Sequence, residues 1–394
     1  MWNEWISEKY NSLSTFRIKR TKQKYDTRLF VFNQRSYLNF VSNDYLGIAS
    51  HPALIESLYK TAQIYGIGST GAPSLSGYSE IHEELTLKIA KWLNYENCLL
   101  FNSGYQLNSS IFNSLADADT MIWFDKNCHA SHIDGIRLSK AKFHTFNALS
   151  INAVVEKIEQ LPNTRHIILT EGSFSMDGTC SYLESLIICR KNHPKNVILI
   201  IDDAHGIGTL GTNGFGTIEQ LGLSFDYIDL LIGTFGKAFA TQGGYICGKN
   251  IWINYLSQTA RGSLFSTNTP PCIAASSIAS LNLISSALGN TLRTNLQNNI
   301  TYFIKSCSKY ALPLYNRESN ISPIQLLVFD NEETVTRIFN QLYVKELLVG
   351  KICYPTVKKN APRIRISITA AHTFADIEAL CAALSIAIKD QGLT

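Results

Sequence analysis

Apolar and polar positions change period several times along the chain. Residues 2–24 place apolar side chains at helical spacing among basic ones, and two β-rich runs follow, "RLFVFN" and "YLNFVS", with a short polar turn between them. This pattern predicts an N-terminal arm, a helix and a hairpin, over residues 1–50. From His51 to Gly248 helical segments at 52–65 and 79–93 lead into short β-branched runs: "CLLFN", "TMIWF", "HIILTE", "VILIID", "YIDLLIG" and "GYICG". Helical stretches separate most of these runs, which predicts a largely parallel sheet covered on both faces. A helix around 271–287 and a polar one near 290–309 come next. The strands "IQLLVF", "LLVGKI" and "RIRISI" then alternate with two amphipathic helices, the last at about 373–388. The expected class is α/β: a large domain over 51–288 with a mostly parallel, helix-covered sheet, then a smaller C-terminal α/β domain over 289–394.

Composition narrows the picture. With 394 residues, 45% apolar and 17% charged, the chain can bury a large core. A net charge of +4, from 35 basic and 31 acidic side chains, comes without a single-sign block, so nothing argues for nucleic acid. The first thirty residues lack an apolar core of signal-peptide length, and "PCIAASSIASLNLISSALG" is too interrupted by serine and asparagine for a membrane span. Nine scattered cysteines, odd in number and without a CxxC pair, fit a reducing cytoplasm and small buried side chains, with no metal site.

In open parallel sheets ligands sit beyond the carboxyl ends of the strands, so the residues following each apolar run carry the chemistry. Here they are polar: Ser103-Gly104-Tyr105 after the first run, His129 after the second, Ser175 after the third, "DDAHGIG" after the fourth and "TFGK" after the fifth. Singly, each has an ordinary explanation as a turn, a helix cap or a solvated side chain. Together, five strand ends would deliver them to one rim. A lysine, an acid and a flat histidine there match the needs of pyridoxal 5'-phosphate, whose aldehyde condenses with an amine and whose ring nitrogen pairs with a carboxylate. Gly104 and Tyr105 at a helix start offer N–H groups to the phosphate. Asp202 would hold the ring nitrogen protonated, His205 would reach the phenolic oxygen and His129 would stack on the ring.

Longer motifs extend the match over nearly the whole chain: "SNDYLG" (42–47), "GIGSTG" and "SGYSEIHEELT" (66–86), "LLFNSGYQLN" (99–108), "TEGSFSMDG" (170–178), "DDAHGIGTLG" (202–211), "TFGKAFATQGG" (234–244), "STNTPP" (266–271) and "RIRISITAAH" (363–372). In these motifs the sequence resembles the α-oxoamine synthase family of fold-type I pyridoxal-phosphate enzymes. The resemblance implies that Lys237 carries the cofactor's aldehyde and moves the substrate proton. It assigns Asp202, His205 and His129 the roles just given, and adds Ser175, Thr234, Gly104 and Tyr105 as cofactor contacts. Ser266 and Thr267 fall where a neighbouring subunit reaches the phosphate, which implies a homodimer. Arg365 matches the guanidinium that holds the amino-acid carboxylate, and Arg17, Asn43 and Thr356 match other substrate contacts.

The "GSTGAPSLSGYSEIH" region resembles the members that condense L-alanine with a pimeloyl thioester, on CoA or on an acyl-carrier protein, with loss of CO2. Members that join glycine to acetyl-CoA, and non-catalytic family subunits, remain the alternatives. Two segments depart from the family pattern. Gly71-Ala72-Pro73-Ser74 stands where relatives commonly carry serine, often followed by arginine, and Ala240 stands where they have glycine. The basic stretch Arg17, Lys19, Arg20, Lys22 and Lys24 is either a solvated helix face or a surface for CoA phosphates or an acidic carrier.

Overall fold

A computed structural model describes residues 1–13, 19–24, 26–147, 150–180, 182–315 and 321–392. The chain begins with α1 (Trp2–Asn11), the hairpin β1 (Leu29–Phe32) and β2 (Arg35–Asn39), then α2 (Pro52–Tyr65) and α3 (Glu80–Trp92). Strands and helices then alternate: β3 (Asn97–Phe101), α4 (Gly104–Leu115), β4 (Thr120–Asp125), α5 (Ala130–Leu138), β5 (Lys142–Phe146), α6 (Ile151–Gln160), β6 (Arg165–Glu171), α7 (Leu183–Asn192) and β7 (Val197–Asp202). Next come α8 (Thr217–Gln220), β8 (Leu230–Thr234), β9 (Gly244–Gly248), α9 (Asn250–Thr259), α10 (Arg261–Leu264), α11 (Pro271–Ile284) and α12 (Ala287–Lys309). The chain closes with β10 (Ile324–Val328), α13 (Glu332–Val344), β11 (Leu347–Leu348), β12 (Gly350–Ile352), β13 (Arg363–Ser367) and α14 (Phe374–Lys389).

Seven strands form the central sheet in the order β3-β9-β8-β7-β6-β4-β5. All its pairings are parallel except those of β9, which runs antiparallel to both β3 and β8. The link from β8 to β9, residues 235–243, holds no helix, so the chain turns back instead of crossing over. β3 consequently points the same way as β4, β6, β7 and β8, and the carboxyl ends of all five meet along one rim. The apolar runs alternate between two buried cores. Ile168, Leu199, Ile201, Leu231 and Tyr245 face one, and Ile167, Leu169, Ile200, Leu230 and Ile246 face the other. Both faces are covered, which is why these strands read as continuous apolar runs.

Three expectations change. The first helix ends at Asn11 and buries no residue, and residues 19–24 are not helical. Arg20 lies over the rings of Phe339 and Tyr343 at 5.5 and 5.4 Å, Lys22 lies over Phe30 at 5.7 Å, and Gln23 N–H donates to Val31 O. Packing on aromatic faces, beyond the reach of a periodicity argument, anchors this non-helical stretch. Second, β5 is an edge strand the apolar pattern does not reveal, because all but its last residue are exposed. Third, "LLVGKI" divides: β11 pairs in parallel with β2, completing a three-stranded sheet with the hairpin, while β12 pairs with β13 beside β10. Ser367 N–H donates to Phe40 O and Phe40 N–H to Leu348 O, tying the end of the hairpin to the C-terminal strands.

Among the described residues no single helix is long and apolar enough to cross a membrane. α11 and α12 meet the length and composition test only as a pair bent by 73°.

Gly233 on β8 faces Tyr245 on β9 in register, and a methyl there would overlap the tyrosine ring. Gly233→Ala is expected to cost about 1–3 kcal/mol in urea unfolding, with partial recovery when Tyr245→Leu is added. An unchanged unfolding midpoint would contradict this packing.

Candidate active site

Asp202 ends β7, with neighbouring strands on both sides, and is buried. Its carboxylate is met from two helices: Asn108 of α4 donates to Oδ2 at 3.0 Å, and His132 Nε2 of α5 lies 2.9 Å from the same oxygen. Ala204 N–H donates to Oδ1 at 3.1 Å. Burial pushes this carboxyl up, but the His132 hydrogen bond and charge, the Lys237 ammonium and Asn108 outweigh it and hold the pKa at about 2. The adjacent Asp203 behaves in the opposite way. It accepts from the Thr217 N–H and hydroxyl at 2.6 and 2.7 Å, and burial raises it to about 7. Side chains at Gly172, Gly206 and Gly216 would overlap its carboxylate, so three glycines leave room for it. Alternation along the strand thus gives Asp202 to the rim and Asp203 to the scaffold of the following loop.

Lys237 follows β8 in a loop of small residues and is half-buried. Its Nζ makes no hydrogen bond or ion pair with the described residues. Burial lowers its pKa to about 8, while Asp202 and Glu171 pull upward and the Arg365 charge pulls downward. His205, in the turn after β7, is buried, with Nδ1 2.7 Å from the Tyr45 hydroxyl. Burial, helped by the charges of Lys237 and Arg365, holds it well below its ordinary value, so it is neutral. Burial in turn raises Tyr45 to about 12.

His129 sits at the N-cap of α5. Its Nδ1 lies 2.8 Å from the Ser131 hydroxyl and accepts from Ser131 N–H at 3.3 Å. The Tyr105 ring meets the His129 ring edge-on at 6.2 Å, and the Tyr105 hydroxyl donates to Asp134. Ser103 caps α4, accepting from Gln106 N–H, which leaves the Gly104 and Tyr105 amides at the open helix start. Thr234 Oγ1 donates to Gly243 O at 2.9 Å and accepts from Gly236 N–H at 3.2 Å, fixing the turn that carries Lys237.

A second cluster gathers around Arg365 on β13. Its Nε donates to Ser175 O at 2.9 Å, Nη1 to Ser367 Oγ at 3.0 Å and Nη2 to Asn43 Oδ1 at 3.4 Å. Tyr45 OH also donates to Asn43 Oδ1, at 3.2 Å, joining this group to His205. Ser266 and Thr267 are held in their own chain by Asn102, whose Nδ2 donates to Ser266 Oγ at 3.0 Å and Thr267 O at 2.7 Å. Pro73, from the first departing segment, lines a small recess with Asn102, Gln106 and these two residues. Thr356 stands in the turn after β12, its N–H on Cys353 O, and no hydrogen bond joins it to the cluster among the described residues. Arg17 lies outside the described residues.

Reading the strand ends missed Asn108, His132, Glu171 and Tyr45. Two of them had a usable signal: Asn108 and His132 lie one helical turn beyond Gly104 and His129, on the helix face that looks back at the sheet. Ala240 has φ +58°, a conformation that favours glycine, and it packs against the large core. Its methyl packs on apolar side chains while the residue stays partly exposed, which gives this departure a structural reading.

The donor set suits an anionic, ring-shaped group bearing an aldehyde. An unpaired amine, open helix-start amides and a neutral histidine surround a carboxylate that stays ionised. The aminotransferase class I and II family model matches residues 35–384, and the chain belongs to that family. It is 36% identical to the 8-amino-7-oxononanoate synthase of Marinomonas sp. over 89% of this chain and 86% of that protein. It is also 36% identical to the same-named enzyme of Buchnera aphidicola subsp. Baizongia pistaciae, over 96% and 97% of the two chains. Among solved structures, the 8-amino-7-oxononanoate synthase of Francisella tularensis superposes with TM-score 0.77 at 28% identity, covering 91% of this chain and 99% of that one. Sphingomonas wittichii serine palmitoyltransferase shares the fold, with TM-score 0.91 at 23% identity over 99% and 98%.

In the cofactor-free protein, acylation of Lys237 followed by peptide mass is expected to titrate near pH 8, and Asp202→Asn should move the midpoint lower. A midpoint at the ordinary 10.5 would contradict the buried environment. Ala240→Gly is expected to raise unfolding stability by less than about 1 kcal/mol and to leave the acyl preference unchanged. A shifted acyl preference would place its methyl at the substrate.

Proposed function

We propose that the protein catalyses the decarboxylative condensation of L-alanine with a pimeloyl thioester, carried by CoA or an acyl-carrier protein, to 8-amino-7-oxononanoate, CO2 and free thiol, the acyl-transfer step that feeds biotin formation. The observation that carries this reading is the unpaired Lys237 amine set among Asp202, His205 and Arg365 at one rim. Pyridoxal phosphate, the cofactor, supplies an aldehyde that takes up an amine and a protonated ring that accepts an electron pair from the substrate carbon.

The chain's own groups do the rest. Asp202, its pKa held at about 2 and therefore ionised in the neutral range, would hold a proton on the ring nitrogen, and neutral His205 would meet the phenolic oxygen with the imidazole nitrogen that Tyr45 leaves open. The Gly104 and Tyr105 amides and the Ser175 and Thr234 hydroxyls would anchor the cofactor's polar groups, and His129 would cover its ring. Arg365 and Asn43 orient the alanine carboxylate. Lys237, with a pKa near 8, is partly neutral in the neutral range and removes the Cα proton, then returns one once CO2 has left.

The protein is further proposed to work as a homodimer in the cytoplasm. Ile55, Tyr59 and Ile64 of α2, with Ile67, Leu75 and Phe265, the residue before Ser266, are exposed apolar side chains. A second copy covering them would complete the phosphate side of the site.

The test is a matrix of alanine, glycine and serine against acetyl, pimeloyl and long-chain thioesters, with products identified by mass. Alanine with the pimeloyl thioester is expected to give 8-amino-7-oxononanoate. Lys237→Ala should lose at least about a thousandfold in rate, and Arg365→Lys should raise the KM for alanine about tenfold. Product from glycine and acetyl-CoA, with none from alanine and the pimeloyl thioester, would overturn the assignment.

A further inference from the structure

Glu171 is buried at the rim and has no part in the chemistry above. It is the last residue of β6 and pairs in register with Asp202, the last residue of β7. Directly paired residues on adjacent strands project to the same face, about 5 Å apart, so two carboxyl groups stand side by side out of water. Two buried anions at that spacing repel, and the one with fewer donors takes a proton. Asp202 has three donors, from Asn108, His132 and Ala204. The Glu171 carboxyl has one hydrogen bond among the described residues: His129 N–H donates to its Oε1 at 2.5 Å. Burial and the Asp202 charge drive the Glu171 carboxyl well above its ordinary range, against the pull of Lys237 and the His129 N–H, with Asp177 adding to the rise.

That single bond reaches a consequential atom. His129 is the joint between β4 and α5, and its ring direction follows from the backbone there. Ser131 fixes the ring at Nδ1, and Glu171 fixes the backbone at N–H. We infer that Glu171 is a positioning residue: as a neutral acid it anchors the His129 backbone so that the imidazole would lie against the bound cofactor, and it leaves Asp202 as the one anion of the pair, free to meet the ring nitrogen. This role rests on the cofactor reading above.

The experiment compares the wild-type holoprotein with Glu171→Gln and Glu171→Leu. Glutamine keeps a neutral carbonyl acceptor for the His129 N–H, and leucine removes it while filling the space. The readouts are the dissociation constant for pyridoxal phosphate, the visible circular dichroism of the bound cofactor and the pH midpoint of its absorbance band. Glu171→Gln is expected to match wild type in all three. Glu171→Leu should bind the cofactor about tenfold more weakly and lose most of the visible dichroism, the size expected for one buried hydrogen bond. A leucine variant with wild-type affinity and dichroism would overturn the inference. So would a glutamine variant whose absorbance midpoint moves by a full pH unit, because a charge would then have been removed; this second outcome decides the matter even if the leucine variant does not fold. Wild-type protein that takes up no pyridoxal phosphate and shows no borohydride-fixed adduct on Lys237 would instead overturn the cofactor reading, and the inference with it.

Discussion

A carboxylate kept ionised away from water is the constraint around which the rim of the sheet is organised. Asp202 reaches its position because β7 is an apolar run flanked by β6 and β8, so its last residue emerges where solvent is excluded. A buried charge left alone costs several kcal/mol, about as much as a small domain can spare. Two helices answer it. α4 brings Asn108 and α5 brings His132, and these two helices also present the Gly104-Tyr105 amides and the His129 ring. Holding the charge and placing the proposed cofactor contacts are therefore one packing problem. Lys237 completes the arrangement from β8, as an amine lowered by burial yet kept from falling further by the same Asp202.

Adjacent residues with the same side chain do opposite work in this scheme. Asp203, one residue on, faces the Thr217 amide and hydroxyl among three glycines, and it holds the loop that carries His205. Its donors do not outweigh burial, so it titrates near 7, whereas its neighbour stays near 2. Both are buried and both accept hydrogen bonds, so charge makes the contrast: His132 and Lys237 favour the ionised Asp202, whereas the Asp202 charge disfavours ionising Asp203.

Much of this is legible in the sequence. The strand runs, the rim they share and the strand-end residues from Ser103 to Lys237 follow from apolar period and from where ligands sit in parallel sheets. What stayed hidden has identifiable physical causes. β5 is a solvent-facing edge with almost no apolar signal, and residues 19–24 are anchored by Arg20 and Lys22 lying on the rings of Phe339, Tyr343 and Phe30. Val349 falls at the point where one apolar run passes from the hairpin's sheet to the C-terminal one, a change of partner that alternation cannot encode. Glu171 acquires meaning only when strand register brings it beside Asp202 and its carboxyl meets the His129 N–H.

The central claim is that the Asp202 carboxylate keeps the cofactor ring protonated over the working pH range. NMR of holoprotein carrying pyridoxal phosphate labelled at its ring nitrogen reads that proton directly. A protonated nitrogen throughout the neutral range in wild type, lost in Asp202→Asn with the cofactor still bound, is the predicted result. A ring nitrogen that is unprotonated in the wild-type protein, or one that keeps its proton when Asp202 is neutralised, would contradict the account.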